Sequence, residues 1–352
     1  MAEHAPAPPD ATLAFVGDVM LGRLVNRELR RRDPEWFWGD VLDLLKNADA
    51  VFANLECAIT TSETRWQRSA KMFHFRADPK SIAVLKAGNV QFVSLANNHL
   101  LDYETRGLLD TIRYLDEAGI AHAGAGGNAV VAAAPAFVHA GKLTVAAFAV
   151  TDNMPEATAG EASPGICFVD PQPEDSGPTQ ADFVAARNAG ANLVVVSAHL
   201  GPNMQDRPSP AIRAYKRRLA ARGAHLIHGH SAHVVQGLER IGASLILHDA
   251  GDFIDDYAID PDLRNDLSFI FLLDVTKSEL RRVRLVPVRL YMAQVRHAPP
   301  DDADWICNRM QALSRHLGVD LRRTQDGLQL DFSESNAGST SARTEPEPEP
   351  IA

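Results

Sequence analysis

The chain is poor in cysteine, in basic charge and in long apolar runs. Its three cysteines, Cys57, Cys167 and Cys307, are scattered over 352 residues. An odd, widely spaced set excludes a disulfide framework or a zinc ribbon and suits a reducing compartment. No stretch approaches the roughly 20 apolar residues of a bilayer-spanning helix. Residues 1–10 show neither the basic nor the apolar region of a secretory leader. The expected location is the cytoplasm, without a membrane segment. Lys and Arg together number 35 against 45 Asp and Glu, a net charge of −10. Without a basic excess the chain lacks the footprint of phosphate-backbone binding, which excludes nucleic acid as a partner.

What is present is an alternation of short apolar runs with helically spaced segments. Residues 11–16, 50–53, 90–95, 120–123, 143–150, 192–197 and 224–227 read as strands. Between them, 24–32, 37–46, 79–86, 104–118, 181–189 and 211–222 read as helices, which together make an α/β fold. After residue 234 the pattern changes to a short strand at 245–247 and a hairpin of 267–275 with 280–290. A helix near 304–317 follows, with Ile306, Met310, Leu313 and Leu317 on one face. Gly124 to Gly127 form a turn and not a phosphate cradle, since no lysine follows at P-loop spacing. Residues 151–176, rich in Pro, Gly and acids, are expected to form an irregular insertion or lid. The expected organisation is a flexible lead-in at 1–10, one domain at 11–330, and a disordered Pro/Glu tail at 331–352. That tail cannot bury enough apolar surface to offset its chain entropy.

In an α/β sheet the loops after successive strands gather along one edge and form the ligand crevice. Polar residues stand at those positions throughout: Asp18, Asn54 and Glu56, Asn97 to His99, His199, His228, His230 and His233, then His248, Asp249 and Asp252. The segment from Ile227 to Val235 carries three histidines at i, i+2 and i+5 beside a glycine, and reads as a strand emptying into a loop. Imidazole is both a common metal ligand and the usual acid/base group near neutral pH. Taken singly, each residue has an ordinary explanation: Asp18 as a helix cap, Asn98 in a left-handed turn, His199 as a satisfied core histidine. Their shared position after strands is what points to a site.

The order of motifs resembles the CapA family of capsule or poly-γ-glutamate synthesis proteins, related to calcineurin-like metallophosphoesterases. The resemblance rests on Gly17-Asp18-Val19-Met20-Leu21-Gly22-Arg23, Asn54-Leu55-Glu56, Ala96-Asn97-Asn98-His99, Ala123-Gly124-Ala125-Gly126, Ser197-Ala198-His199-Leu200-Gly201 and Gly229-His230 with His233. It covers about residues 12–290. It implies a four-layer αββα sandwich of the metallo-dependent phosphatase type, with two mixed sheets flanked by helices and the site at their loop edge. It further implies Asp18, Glu56, Asn98, His199, His230 and His233 as ligands of one or two divalent ions (Mn, Zn or Fe), with His99 as the acid/base. This chain departs from the pattern at Met20, where the phosphoesterases place a histidine in Asp-x-His. It also spaces its histidines as Gly-His-x-x-His, and adds acids at Asp249 and Asp252.

Three functions are therefore expected to compete. The first is metal-assisted hydrolysis or amide-bond chemistry on a peptide or γ-glutamyl substrate. The second is a metal-independent peptide epimerase, in which one group removes a Cα proton and another returns it. The third is a non-catalytic protein that binds capsule precursors. His99, Asp18, Glu56, His230 and Asp249 are the candidate catalytic groups. Arg23, Asn54, Asn97, His228, Asp252 and His297 are the candidate substrate contacts.

Overall fold

A strand covered on both faces must be apolar on both faces. In the computed structural model, which describes residues 8–332, the strand Ala11–Val19 meets that requirement. Leu13 and Phe15 point to one side, Ala14 and Val16 to the other, and all four are fully buried. The first sheet has ten strands. Its main path runs Arg322–Thr324, Gly327–Asp331, Glu279–Tyr291, Leu267–Thr276, Ala11–Val19, Ala50–Leu55, Val90–Ser94, Ala121–Ala123. The second has six, in the order Leu238–Ile241, Ser244–Leu247, Leu226–His230, Leu193–His199, Leu143–Thr151, Ala136–Ala140. Both are mixed. Parallel strands carry the loops of interest, and antiparallel hairpins close one edge of the first sheet and both edges of the second.

Three apolar layers follow from this alternation. Between the sheets, Leu13, Phe15, Phe52 and Phe92 meet Val145, Val195 and Leu226. Phe15 stacks on Phe52 at 4.8 Å, and Phe52 lies 5.4 Å from Phe92; burying each such ring stabilises by roughly 1.5–3 kcal/mol. Outside the first sheet, Ala14, Val16 and Val51 pack with Trp38 and with Val84 and Leu108 of the helices Ile82–Ala87 and Glu104–Ala118. Outside the second, Phe148, Val194 and Ile227 pack with Phe183 and Leu219 of the helices Gln180–Asn188 and Pro210–Ala221. The molecule is thus helix, sheet, sheet, helix, as the resemblance implies. Among the described residues no helix is long and apolar enough to cross a membrane.

Several local expectations differ from the structure. The first helix is shorter, Arg23–Glu28. The segment 37–46 is two pieces, a 3-10 turn Pro34–Val41 and a helix Leu42–Lys46. The first piece is itself kinked at Gly39, whose φ of 48° and 2.3 Å approach of a would-be Cβ to the Val295 carbonyl exclude other residues. His228 and His230 lie on a strand, not in a loop, because pairing with Leu193–His199 continues through His199 opposite His230. The terminal helix starts earlier, at Pro300. An unexpected strand, Gln294–His297, pairs with Glu279–Tyr291. Within the expected lead-in, Asp10 is tied by its N–H to the Val275 carbonyl. Within the expected tail, Asp331 ends a strand and Phe332 is buried. The remainder of both segments, 1–7 and 333–352, lies outside the described residues.

Two glycines let the segment 248–251 press against both sheets. A Cβ on Gly17 would stand 1.8 Å from the Gly251 carbonyl oxygen, and one on Gly229 2.0 Å from that of His248. Neither contact is with a flexible side chain, so the backbone itself must move. Gly229→Ala should therefore lower the urea midpoint by roughly 2–4 kcal/mol in unfolding free energy. Gly127→Ala, where the same atom meets nothing within 4 Å, should change it by under about 0.5 kcal/mol. Equal midpoints for the two variants would contradict this close-packing account.

Candidate functional site

Asp18 leaves the end of its strand fully buried, beside Asn54 in the parallel register. Asn54 Nδ2 donates to Asp18 Oδ1 at 2.8 Å, and Asn97 Nδ2 donates to Asn54 Oδ1 at 3.0 Å. The two asparagines thus hold Asp18 from behind. Facing it, His199 and His230 meet Nδ1 to Nδ1 at 2.8 Å, with His230 Nδ1 3.8 Å from Asp18 Oδ1. The far nitrogens are anchored, His199 Nε2 to Asn98 Oδ1 at 3.1 Å and His230 Nε2 to Ser197 Oγ at 2.8 Å. Burial pushes His199 down to about 3 and His230 well below the usual imidazole range, so both are neutral.

On the other side of Asp18, His233 Nδ1 lies 2.7 Å from Asp252 Oδ1 and 3.3 Å from Asp18 Oδ2. Burial opposes charge on this ring, but Asp252, Glu56 and Asp18 outweigh it and hold His233 well above its ordinary value. Its backbone has φ 62°, a conformation that costs a non-glycine residue on the order of 1 kcal/mol. The loop is braced by Asp249, whose oxygens accept from the N–H groups of Ala232 and Gly251. Glu56 Oε1 stands 3.9 Å from both His233 Nε2 and His99 Nε2. Burial, then the charge of Asp18, pushes the Glu56 carboxyl well above the usual range.

His99 is held by a residue that the sequence reading missed. Its Nδ1 lies 2.7 Å from Asp102 Oδ2, and its ring stacks on Phe75 with centroids 3.9 Å apart. Asp102 is fully buried, accepts from the Phe75 N–H and is ion-paired to Lys71. The spacing His-x-x-Asp was the only trace of it in the sequence. Tyr257, also missed, sets its ring 5.2 Å from that of His233 and buries its hydroxyl without a partner among the described residues. These groups border a pocket of about 270 Å³, walled by Arg23, Phe73, Phe75, His99, Met204, His233 and Tyr257 among others.

With this geometry in hand, the comparison with known proteins is decisive about kinship. Residues 12–257 match the family described as bacterial capsule synthesis protein PGA_cap. The chain belongs to this family. It is 29% identical to a probable polyglutamine synthesis accessory protein of Mycobacterium tuberculosis, over 91% of this chain and 96% of that one. It is 29% identical to the capsule biosynthesis protein CapA of Bacillus anthracis, over 70% of this chain and 60% of the relative. To the PGA biosynthesis protein CapA of Bacillus subtilis it is 26% identical, over 69% and 63% respectively.

Within this PGA_cap chain, the structure brings Asp18, Asn54, Glu56, Asn97, Asn98, His99, His199, His230, His233 and Asp252 together, with Arg23 at the pocket wall. Others stand apart. His228 stands behind the cluster, where its Nε2–H donates to the Val16 carbonyl at 2.9 Å. Asp249 spends both oxygens on loop backbone, so the acid expected to be catalytic is a brace. His297 is a correction: its ring is 47% exposed, pairs with Asp40 at 3.1 Å and lines a separate cavity with Arg284 and Arg323. The unforeseen strand Gln294–His297 carries it there. Met20, in the place of the phosphoesterase histidine, is fully buried in the helix-side core with its sulfur 3.0 Å from the Gly22 N–H. His248 is turned away to Glu239 at 2.9 Å.

The donor set fits a divalent cation. Asp18, His199 and His230 offer atoms within 4.8 Å of one another, as do Asp18, His233 and Asp252. Among the described residues, Asp18 Oδ2, Asp252 Oδ2 and both Glu56 oxygens are buried without a hydrogen-bond partner, a costly state for carboxylates unless a positive charge is near. Carboxylate and imidazole ligands suit Mn, Zn or Fe. Full-length protein stripped with chelator should therefore regain a divalent ion, read by mass spectrometry. At 100-fold excess over Kd the ion should stabilise the fold by about 2.7 kcal/mol. Asp18→Asn should abolish both effects, whereas unchanged metal content in that variant would refute the assignment.

Glu239 gives a second expectation. Burial would raise its carboxyl, but hydrogen bonds from His248 and Arg213 prevail and hold it down to about 2. A carboxyl held below its ordinary 4.5 stabilises fully above that pH, and the contribution fades as pH falls toward 2. Glu239→Gln should lower the urea midpoint at pH 7, and the gap to wild type should narrow below pH 4.5. A gap independent of pH would contradict it.

Proposed function

We propose that this PGA_cap protein is a metal-assisted hydrolase of peptide amides, with a γ-glutamyl or other glutamate-containing chain as substrate. The observation that carries the reading is the group of carboxylate oxygens on Asp18, Glu56 and Asp252 that are unpartnered among the described residues, set against buried imidazoles of which His233 lines the pocket. The relatives named for polyglutamine synthesis and for capsule and PGA biosynthesis support the substrate class. A divalent ion held by Asp18 with His199 and His230, or with His233 and Asp252, would polarise the amide carbonyl and acidify water.

The chain's own groups would do the rest. Asp102 accepts a hydrogen bond from His99 Nδ1–H and fixes the tautomer, which leaves the Nε2 lone pair toward Glu56 and the pocket. In hydrolysis a C–O bond forms from water and the amide C–N bond breaks. His99 Nε2 takes the water proton and returns it to the departing nitrogen. Phe75, stacked on the ring, keeps it from rotating and excludes solvent from that face. Asn54 and Asn97 keep Asp18 in place.

A second reading, peptide epimerisation, is favoured by the buried and unpartnered Tyr257 hydroxyl, which shares the pocket with His99. The two separate cleanly. Hydrolysis of γ-linked oligoglutamate by metal-loaded protein should fall roughly 100- to 10,000-fold in His99→Ala, the usual worth of a general base. Full activity after chelation, or no cleavage of any glutamate peptide, would overturn the hydrolase. Incorporation of deuterium at Cα, without cleavage and without metal, would establish the epimerase instead.

A further inference from the structure

Among the described residues ten wall the pocket beside the Asp18 cluster, and of these Arg23 is the sole Lys or Arg, with no Asp or Glu. The protein as a whole is acidic, at −10, and the carboxylates of Glu56 and Asp252 stand behind the wall residues His99 and His233, so Arg23 is the one guanidinium that the pocket walls offer to an incoming anion. Nearby cations are already committed: Lys71 to Asp102 and Arg68 to Glu104. Arg23 Nε lies 3.3 Å from Asp256, whose other oxygen accepts the Leu24 N–H at 2.7 Å. Asp256 thereby holds the guanidinium by its Nε side. A guanidinium can serve a second carboxylate through its Nη groups. The guanidinium carbon lies 5.7 Å from the ring centroids of both Phe73 and Phe75, and its side chain is 37% exposed. Arg23 adopts φ 50°, a conformation uncommon for a residue with a side chain. Phe75 also stacks on His99, so one aromatic wall links the cation to the proposed acid/base.

We propose that Arg23, with Phe73 and Phe75, forms an acidic-residue subsite that pairs with a free carboxylate of the substrate next to the bond that is cleaved. The aromatic walls would take the aliphatic stem, and the guanidinium the charge. This rests on the peptide-amide reading above and names its specificity: chains of glutamyl residues with free carboxylates, in preference to their amidated counterparts.

The test compares binding of a γ-linked tetraglutamate with the same peptide amidated at its free carboxylates, by calorimetry on the full-length protein. Wild type should bind the acid form roughly 10- to 100-fold more tightly, the range of a charge-assisted hydrogen-bonded pair. Arg23→Met, which keeps the apolar stem against the rings, should erase that preference, and Arg23→Lys should retain part of it. His297→Ala, far from the pocket walls, should leave it intact. Equal affinity of wild type for the two peptides, no binding of either, or an undiminished preference in Arg23→Met would overturn the subsite. The wild-type comparison holds even if a variant fails to fold. Selective binding without cleavage would sink the hydrolase and leave the subsite. Equal binding and equal cleavage of both peptides would do the reverse.

Discussion

A buried carboxylate needs positive charge or hydrogen-bond donors to offset its lost hydration, a cost of several kcal/mol. At the centre of this protein that requirement falls on Asp18, which is fully buried and reached from three other strand ends, by Asn54, by His199, and by His230 with His233. Asn54 satisfies one oxygen, and Asn97 in turn fixes Asn54. Burial alone would raise the Asp18 carboxyl, yet the charge of His233, whose Nδ1 lies 3.3 Å from Oδ2, with the rings of His199 and His230 alongside, holds it well below the usual carboxylate range. The anion is thus maintained, and the groups around it are arranged to face one.

The fold delivers that arrangement through backbone contacts. Parallel strands bring Asp18, Asn54 and Ser94 side by side in one sheet, and His199 and His230 side by side in the other. The two sets meet because the segment 248–251 fits between them without side chains at Gly17 and Gly229. Asp249 then ties this segment to Ala232, and Ser231 Oγ donates to the Gly201 carbonyl at 2.7 Å. These bonds hold the left-handed turn that aims His233 at Asp252. Segment 151–176 joins the same rim: Asp152 Oδ1 accepts the Gly201 N–H at 2.9 Å, and Asn153 Nδ2 donates to Ser231 Oγ at 3.3 Å.

The alternation of strands and helices and most of the cluster were legible in the sequence because both come from strongly patterned features, whereas the four layers came from the family resemblance. Apolar runs on two faces mark buried strands, and polar residues just after them converge by topology. What could not be read depends on side-chain direction and on distant packing. His-x-x-Asp at His99 and Asp102 looks like any pair in a turn until Phe75 and Lys71 arrive from residues 71–75. His228 and His230 differ by two positions on one strand, so they share a face. Yet one bonds the Val16 carbonyl and the other meets His199, a distinction set by the neighbouring sheet. His297 was misplaced because the turn at Ala293, with φ 65°, sends a further strand back along Glu279–Tyr291. Met20 is apolar and packs as such, which composition alone could have foretold.

The balance of donors and acceptors bears on whether the cluster works with protons alone. His99 and His199 direct a ring nitrogen to Asp102 and Asn98, and His230 directs one to Ser197. His233 Nδ1 is taken by Asp252. The acceptors left over are Asp18 Oδ2, Asp252 Oδ2 and the two Glu56 oxygens. A proton on Glu56, which its raised affinity favours, removes one charge but leaves Asp18 and Asp252 facing a single imidazolium. A proton also supplies one donor in one direction, whereas the leftover oxygens belong to three carboxylates gathered around His233 on one side of Asp18. A divalent ion accepts several such oxygens and lone pairs at once. On this count of charges and directions the arrangement suits a cation shared through Asp18 better than a purely protonic network, and the proposed chemistry follows from that difference.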